Sequence, residues 1–121
     1  MNTPADIVGL AIEHRTSEDW LLRLPMRIGA TDAATALALT GAQCQLRLAG
    51  KLNTMQVAEL LFNGSACRIE AHEIVLQQSS TFFAGKAGTY KGDLLVRLAS
   101  GFDFVSHVFE LAVLPGLDWI P

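Results

Sequence analysis

Charge is scarce in this chain and positive charge scarcer still, with nine Lys and Arg against twelve Asp and Glu and a formal net charge of −3. The basic residues are scattered, so no positive stripe is present to neutralise a phosphate backbone, and nucleic acid is not an expected partner. Also missing is any apolar run of the roughly 20 residues that span a bilayer, so no membrane partner is expected. The opening Met1-Asn2-Thr3-Pro4-Ala5-Asp6 has neither the basic nor the apolar region of a signal peptide, which sets an expectation of synthesis and folding in the cytoplasm. Cysteine is limited to Cys44 and Cys67. Both are flanked by strand-like apolar residues, where a reduced thiol behaves as a small hydrophobe. A disulfide between them would require oxidising conditions and matched geometry.

What is present is apolar. Half of the residues are hydrophobic and only 17% are charged, a composition that needs a packed interior and excludes a disordered, solvating chain. A length of 121 residues fits one domain, residues 1–121, able to fold without metal or disulfide staples. Mean hydropathy of +0.32 is high for such a domain. Either a well-filled core or a surface covered by copies of itself or a partner accounts for it.

Alternation is the dominant pattern. Along residues 20–28, Trp20, Leu22, Leu24, Met26 and Ile28 share one face of a strand. Pro25 takes a donor out of the ladder, which places that strand at an edge or at a bulge. Val8, Leu10 and Ile12 share a face of the preceding strand, and Thr16-Ser17-Glu18-Asp19 reads as the polar turn between them. Residues 29–40 are alanine-rich, which favours a short helix by propensity. Asp32 and Thr35 as local caps and the run Leu37-Ala38-Leu39-Thr40-Gly41 nevertheless read mostly as a loop descending into a strand.

From residues 43–48, Cys44, Leu46 and Leu48 point inward, and Gly50 ends the strand. Residues 56–62 fit both helical and strand periods. Asn63-Gly64 decides for a strand closed by a tight hairpin onto Cys67-Arg68-Ile69-Glu70-Ala71. Ile74-Val75-Leu76 makes another short strand. Residues 79–85, with hydroxyl caps, Phe82, Phe83 and a terminal Gly85, suit one helical turn. Residues 88–98 form a strand with Tyr90, Leu94, Val96 and Leu98 on one side. After the Ser100-Gly101 turn, residues 102–113 are apolar on both faces, as a central or doubly covered strand requires. Seven to eight short strands with one short helical turn make an all-β, antiparallel β-sandwich or barrel.

Templates for chemistry fail one by one. His72-Glu73 begins like a zinc protease helix, but Leu76 stands where the second histidine is needed. His14, His72 and His107 come from separate segments, so no metal site is expected. Gly85-Lys86-Ala87-Gly88-Thr89 lacks phosphate-loop spacing and enters a strand where a helix N-terminus is required. Asn63-Gly64-Ser65 matches a glycosylation sequon, but the hairpin turn explains the same letters. Glu18 and Asp19 lie in a polar turn, where a carboxylate pair is solvated, and no serine sits in a strand-turn-helix elbow. The chain reads as no enzyme, with no cofactor.

In order along the chain, Asp19-Trp20 opens a strand and Leu37-Ala38-Leu39-Thr40-Gly41-Ala42 steps into the next. Gly88-Thr89-Tyr90-Lys91-Gly92-Asp93-Leu94 begins a later strand, and Ser100-Gly101 precedes the last. This set, over roughly residues 15–115, resembles the N-terminal domain of phage baseplate upper proteins and related small phage or prophage tail proteins. The chain departs from the pattern at Ala38, where the family usually has Asp, and at Phe109-Glu110-Leu111, where it lacks a glycine. The resemblance implies an Ig-like sandwich that mounts tail or receptor-binding parts on a baseplate through protein–protein contacts, with no catalytic residues to carry over. It also implies a place in the virion tail.

Self-association, or contact with other phage tail proteins, then calls for exposed apolar residues. The interface candidates are Trp20 if exposed, Phe82, Phe83, and Leu117, Trp119 and Ile120 of the C-terminal segment. A different function class is a small-ligand or carbohydrate-binding β-sandwich module using aromatics such as Tyr90 and Phe104. A third is an enzyme whose site forms across a subunit interface from Asp19, Asp93, His72 and His107.

Overall fold

In strands whose apolar residues recur at every second position, one face must find a second layer to cover it. The computed structural model, which describes residues 8–116, satisfies this with two facing sheets. Strands β1 (Val8–Arg15), β2 (Trp20–Pro25), β3 (Gln43–Leu52), β4 (Val57–Phe62), β5 (Cys67–Glu70), β6 (Glu73–Gln78), β7 (Gly88–Arg97) and β8 (Asp103–Leu114) divide between them. The five-stranded sheet has the order β1-β8-β7-β3-β4 and the three-stranded sheet the order β2-β6-β5. Every pairing is antiparallel except β1 with β8, which run parallel from Val8 opposite His107 to Arg15 opposite Leu114. This is an Ig-like β-sandwich.

The alternating faces meet in one core. Trp20, Leu24 and Met26 enter it from the β2 side, Leu46, Leu48, Leu60 and Phe62 from β3 and β4, and Ile74 and Leu76 from β6. Tyr90, Leu94 and Val96 of β7 and Phe109, Leu111 and Val113 of β8 complete it. Burying each large apolar side chain stabilises the fold by about 1.5–3 kcal/mol before entropy is subtracted. Pro25 sits on β2, an edge strand, where its missing N–H breaks no inner ladder. Strand β8 lies between β1 and β7 and is central, but Val108 on its outer face stays exposed.

Three local expectations are corrected. Residues 32–39 form a helix, α1 (Asp32–Leu39), where a loop was expected. Thr31, one residue before Asp32, is the N-cap: its Oγ1 accepts from the Ala34 N–H at 3.0 Å. Thr35 is fully buried, its Oγ1 accepting the Ile28 N–H at 3.0 Å while its one hydroxyl proton is within reach of both the Ile28 and Thr31 carbonyls at 3.2 and 3.0 Å. These contacts and the burial of Leu39 add tertiary support to alanine propensity.

Asn63-Gly64 makes no hairpin. Asn63 is extended (φ −147°, ψ 176°) and Gly64–Ala66 is a turn of 3₁₀ helix carrying the chain from β4 in one sheet to β5 in the other. The two-residue hairpin is Ala71-His72, between paired Glu70 and Glu73, with Ala71 at a φ of +52°.

Gly50, finally, lies inside β3 and does not end it. A Cβ there, or at Gly88 or Gly92 of β7, would strike the backbone of the opposed strand, so these glycines permit the close approach of β3 and β7.

Candidate functional site

The alternation that builds the core decides which candidate contact residues reach the surface. Trp20 is 4% exposed and Phe83 fully buried, so neither offers a face to a partner. Trp20 belongs to the inward set of β2, whose outward residues are Leu21, Arg23 and Pro25. It packs with Phe62 and Phe83 (ring centroids 5.8 and 5.9 Å) and His14 (5.1 Å). Its indole Nε1 is buried and has no hydrogen-bond partner among the described residues, a burial that costs about 1–3 kcal/mol where no other group supplies one. Phe82 is half-buried against Phe62 at 5.2 Å. The 3₁₀ turn Ser80–Phe83 is held by the Asp19 carboxylate, which accepts the Ser80 N–H at 2.8 Å. Leu117, Trp119 and Ile120 lie outside the described residues.

Exposed apolar side chains gather elsewhere, on the β3–β4 hairpin. Met55, Val57 and Leu61 are 69%, 75% and 41% exposed. Val57, Glu59 and Leu61 share the outer face of β4, and β4 is an edge of the five-stranded sheet. Arg47 holds Glu59 through two hydrogen bonds of 2.9 and 3.1 Å, so the charge between the two apolar residues is already paired. Sequence reading passed over this patch because a lone exposed Val or Leu carries no signal until the edge is known.

A crevice of mixed character lies beside β2, where Asp19, Arg68, Gln77 and Gln78 stand next to the apolar Leu21 and Ala66. Arg68 is fixed there by Glu70 (2.7 Å), the Ser65 carbonyl and Gln77 (2.9 Å each). Tyr90 and Phe104, the aromatics considered for carbohydrate stacking, are both buried.

No group of three or more His, Cys, Asp or Glu side chains is arranged to hold a metal among the described residues. The residues considered for an interfacial enzyme are spread over separate elements. Asp19 caps the Ser80 turn and His72 occupies the β5–β6 hairpin 3.8 Å from Asp32. Asp93 lies on β7 opposite Arg47 of β3. His107 sits at a bulge in β8, where the register to β7 slips between Leu94 and Leu95 and turns both Ser106 and His107 inward. His107 Nδ1 is 2.9 Å from Ser106 Oγ, and burial lowers the imidazole pKa.

Cys44 of β3 and Cys67 of β5 face each other across the two sheets, both free, with sulfurs 3.3 Å apart. The Cys67 S–H donates to Cys44 Sγ. That bond lowers the Cys44 thiol pKa, whereas the same bond and burial raise that of Cys67.

Tyr90 marks the other sheet-to-sheet corner. Its hydroxyl donates to the Lys86 carbonyl, four residues upstream, at 2.6 Å, and burial raises its pKa. This is the tyrosine corner of immunoglobulin-type sandwiches, which sits two residues before the second cysteine of the usual inter-sheet disulfide. Gly92 occupies that position here, and β2 and β7 contain no cysteine. Gly-x-Tyr at the start of a strand was the available sequence signal for the corner.

No known protein family and no curated protein matches the chain. Among solved structures it is similar to extracellular domains 3–5 of Drosophila OTK, with 18% identity and a TM-score of 0.36. That match covers 97% of this chain and 35% of the other, so the chain spans about a third of the OTK fragment.

Proposed function

We propose that the chain is a non-catalytic Ig-like module that works through protein–protein contacts, as an assembly part of a phage or prophage tail or baseplate. The observation that carries the contact reading is the open β4 edge with Met55, Val57 and Leu61 exposed along it. An edge strand leaves backbone N–H and C=O groups free for strand addition, and exposed apolar side chains next to it add buried area. The tail assignment is supported by the ordered motifs from Asp19-Trp20 to Ser100-Gly101. Light scattering on a sizing column over a tenfold concentration range tests self-association, with Val57→Lys as the edge variant. A stable oligomer reduced to monomer by Val57→Lys, with unchanged circular dichroism, is the expected result. A monomer at every concentration that also fails to capture tail proteins from a phage lysate would sink this reading.

A second reading, a small-ligand-binding module, is favoured by the crevice around Arg68. With Tyr90 and Phe104 buried, such a ligand would be held by hydrogen bonds to Asp19, Arg68 and Gln77, without aromatic stacking. A thermal upshift with a polar ligand, abolished by Arg68→Ala, is its signature.

A further inference from the structure

Cys44 and Cys67 are 23 positions apart in sequence and belong to different sheets, yet their sulfurs stand 3.3 Å from each other. Bonded sulfurs lie about 2.0 Å apart, so closure asks for about 1.3 Å of relative motion. That motion would have to come from two side chains on facing strands. Both cysteines line one solvent-open crevice together with Asn63 and Arg68. A small reagent can therefore reach the half-exposed Cys44 in the folded state, with the buried Cys67 directly behind it.

We propose that Cys44 and Cys67 form a redox-modification site, oxidised by a low-molecular-weight disulfide to a bond that staples β3 to β5. The Cys44 thiolate attacks one sulfur of the reagent, whose disulfide breaks and expels a first thiolate. The Cys67 thiol then gives up its proton and attacks Cys44 Sγ, breaking the mixed disulfide and releasing the second reagent thiol. Two protein thiols are oxidised and one reagent disulfide is reduced to two thiols. Cys44 is the first attacker because it is the more exposed, accepts the hydrogen bond that favours its thiolate, and shares its crevice with the Arg68 guanidinium. The staple joins a different strand pair from the usual inter-sheet disulfide, whose positions on β2 and β7 hold no cysteine here.

The test exposes the full chain, folded at neutral pH, to oxidised glutathione, followed by intact mass, peptide mapping and thermal melting. The expected product is lighter by two hydrogens, retains no glutathione, and yields one cross-linked peptide pair containing both cysteines. Closing this loop raises Tm by about 10 °C, reversibly with dithiothreitol. In Cys67→Ser the glutathione adduct stays on Cys44, because no second thiol displaces it. The proposal is overturned if the native chain keeps glutathione, forms a covalent dimer, or leaves both thiols open to alkylation. If Cys67→Ser fails to fold, the mass of the oxidised native chain decides alone.

Discussion

Tyr90 occupies two environments at once, its ring in the core and its hydroxyl on the Lys86 carbonyl at 2.6 Å. Removing only the oxygen keeps the ring packing and leaves the carbonyl short of a donor. Tyr90→Phe is expected to lower stability by about 1–2 kcal/mol. Urea unfolding would show this as a lower midpoint at unchanged slope, and an unchanged midpoint would mean that water replaces the bond at no cost. Gly92 gives a harsher expectation, because a Cβ there meets the Arg47 carbonyl and the Leu48 Cα, backbone atoms of a strand paired on both sides. Gly92→Ala should cost about 3 kcal/mol or more. Circular dichroism melting checks it, and a native-like melt would show that β3 can move away. Neither feature calls on long-range information to be suspected, since a Gly-x-Tyr-x-Gly run is visible in the chain. What the run touches is not visible.

At the scale of elements, the strands were legible where alternation is strict. In β2 and β7 a period of two leaves no competing reading, and Pro25 narrowed β2 to an edge or a bulge, of which the sheet order shows the edge. Residues 32–39 were misread because alanine propensity was weighed without the tertiary contacts of Thr35 and Leu39. The cap, Thr31, lay inside the alanine-rich segment, but Asp32 and Thr35 were read as the capping residues instead. Thr31→Ala is expected to destabilise by about 1 kcal/mol, measured by urea unfolding, with Thr31→Asp close to native. Asn63-Gly64 misled in the opposite direction. Its turn preference is local, whereas the change of sheet between β4 and β5 is set by which faces bury Phe62 and Cys67. The true hairpin at Ala71-His72 carried no glycine to announce it. Ala71 pays about 1 kcal/mol for its positive φ, so Ala71→Gly should be neutral to slightly stabilising in the same measurement.

For the whole molecule, the interior and its charges set the response to acid. His107 has a folded-state pKa below the ordinary value of about 6.5, because burial disfavours the imidazolium. The unfolded chain therefore takes up that proton first. The contribution of neutral His107 is fully present above about pH 6.5 and is lost as pH falls through the lower folded value. Glu70, held by Arg68 and Arg23, and Asp103, held by Arg97, have lowered carboxyl pKa values. Their contribution is present above the ordinary carboxylate range and is lost at still lower pH. Being solvent-exposed pairs, they add little. Melting curves from pH 7.5 to about pH 3 should show one main decline beginning near pH 6.5, with only a small further loss from these carboxylates, and His107→Gln should flatten the main decline. A main decline that survives in that variant would move the effect to another group. The candidate site was the least legible level of all. Of the aromatics chosen as contact residues, Trp20 and Phe83 lie in the core, Phe82 is half-buried and Trp119 falls outside the described residues, and the proximity of Cys44 to Cys67 appears only after two sheets are stacked.

The parallel register of β1 on β8 has a mechanical consequence. The polypeptide enters this strand pair beside Val8 and leaves it beyond Leu114, at opposite ends of the same ladder. Tension applied between those two points drags the strands lengthwise past one another, so the backbone hydrogen bonds of the pair share the load together and do not peel apart one at a time. Pulled between those points, the module is expected to resist in shear along the strand direction. Copies strung end to end would resist stretching at the β1–β8 seam.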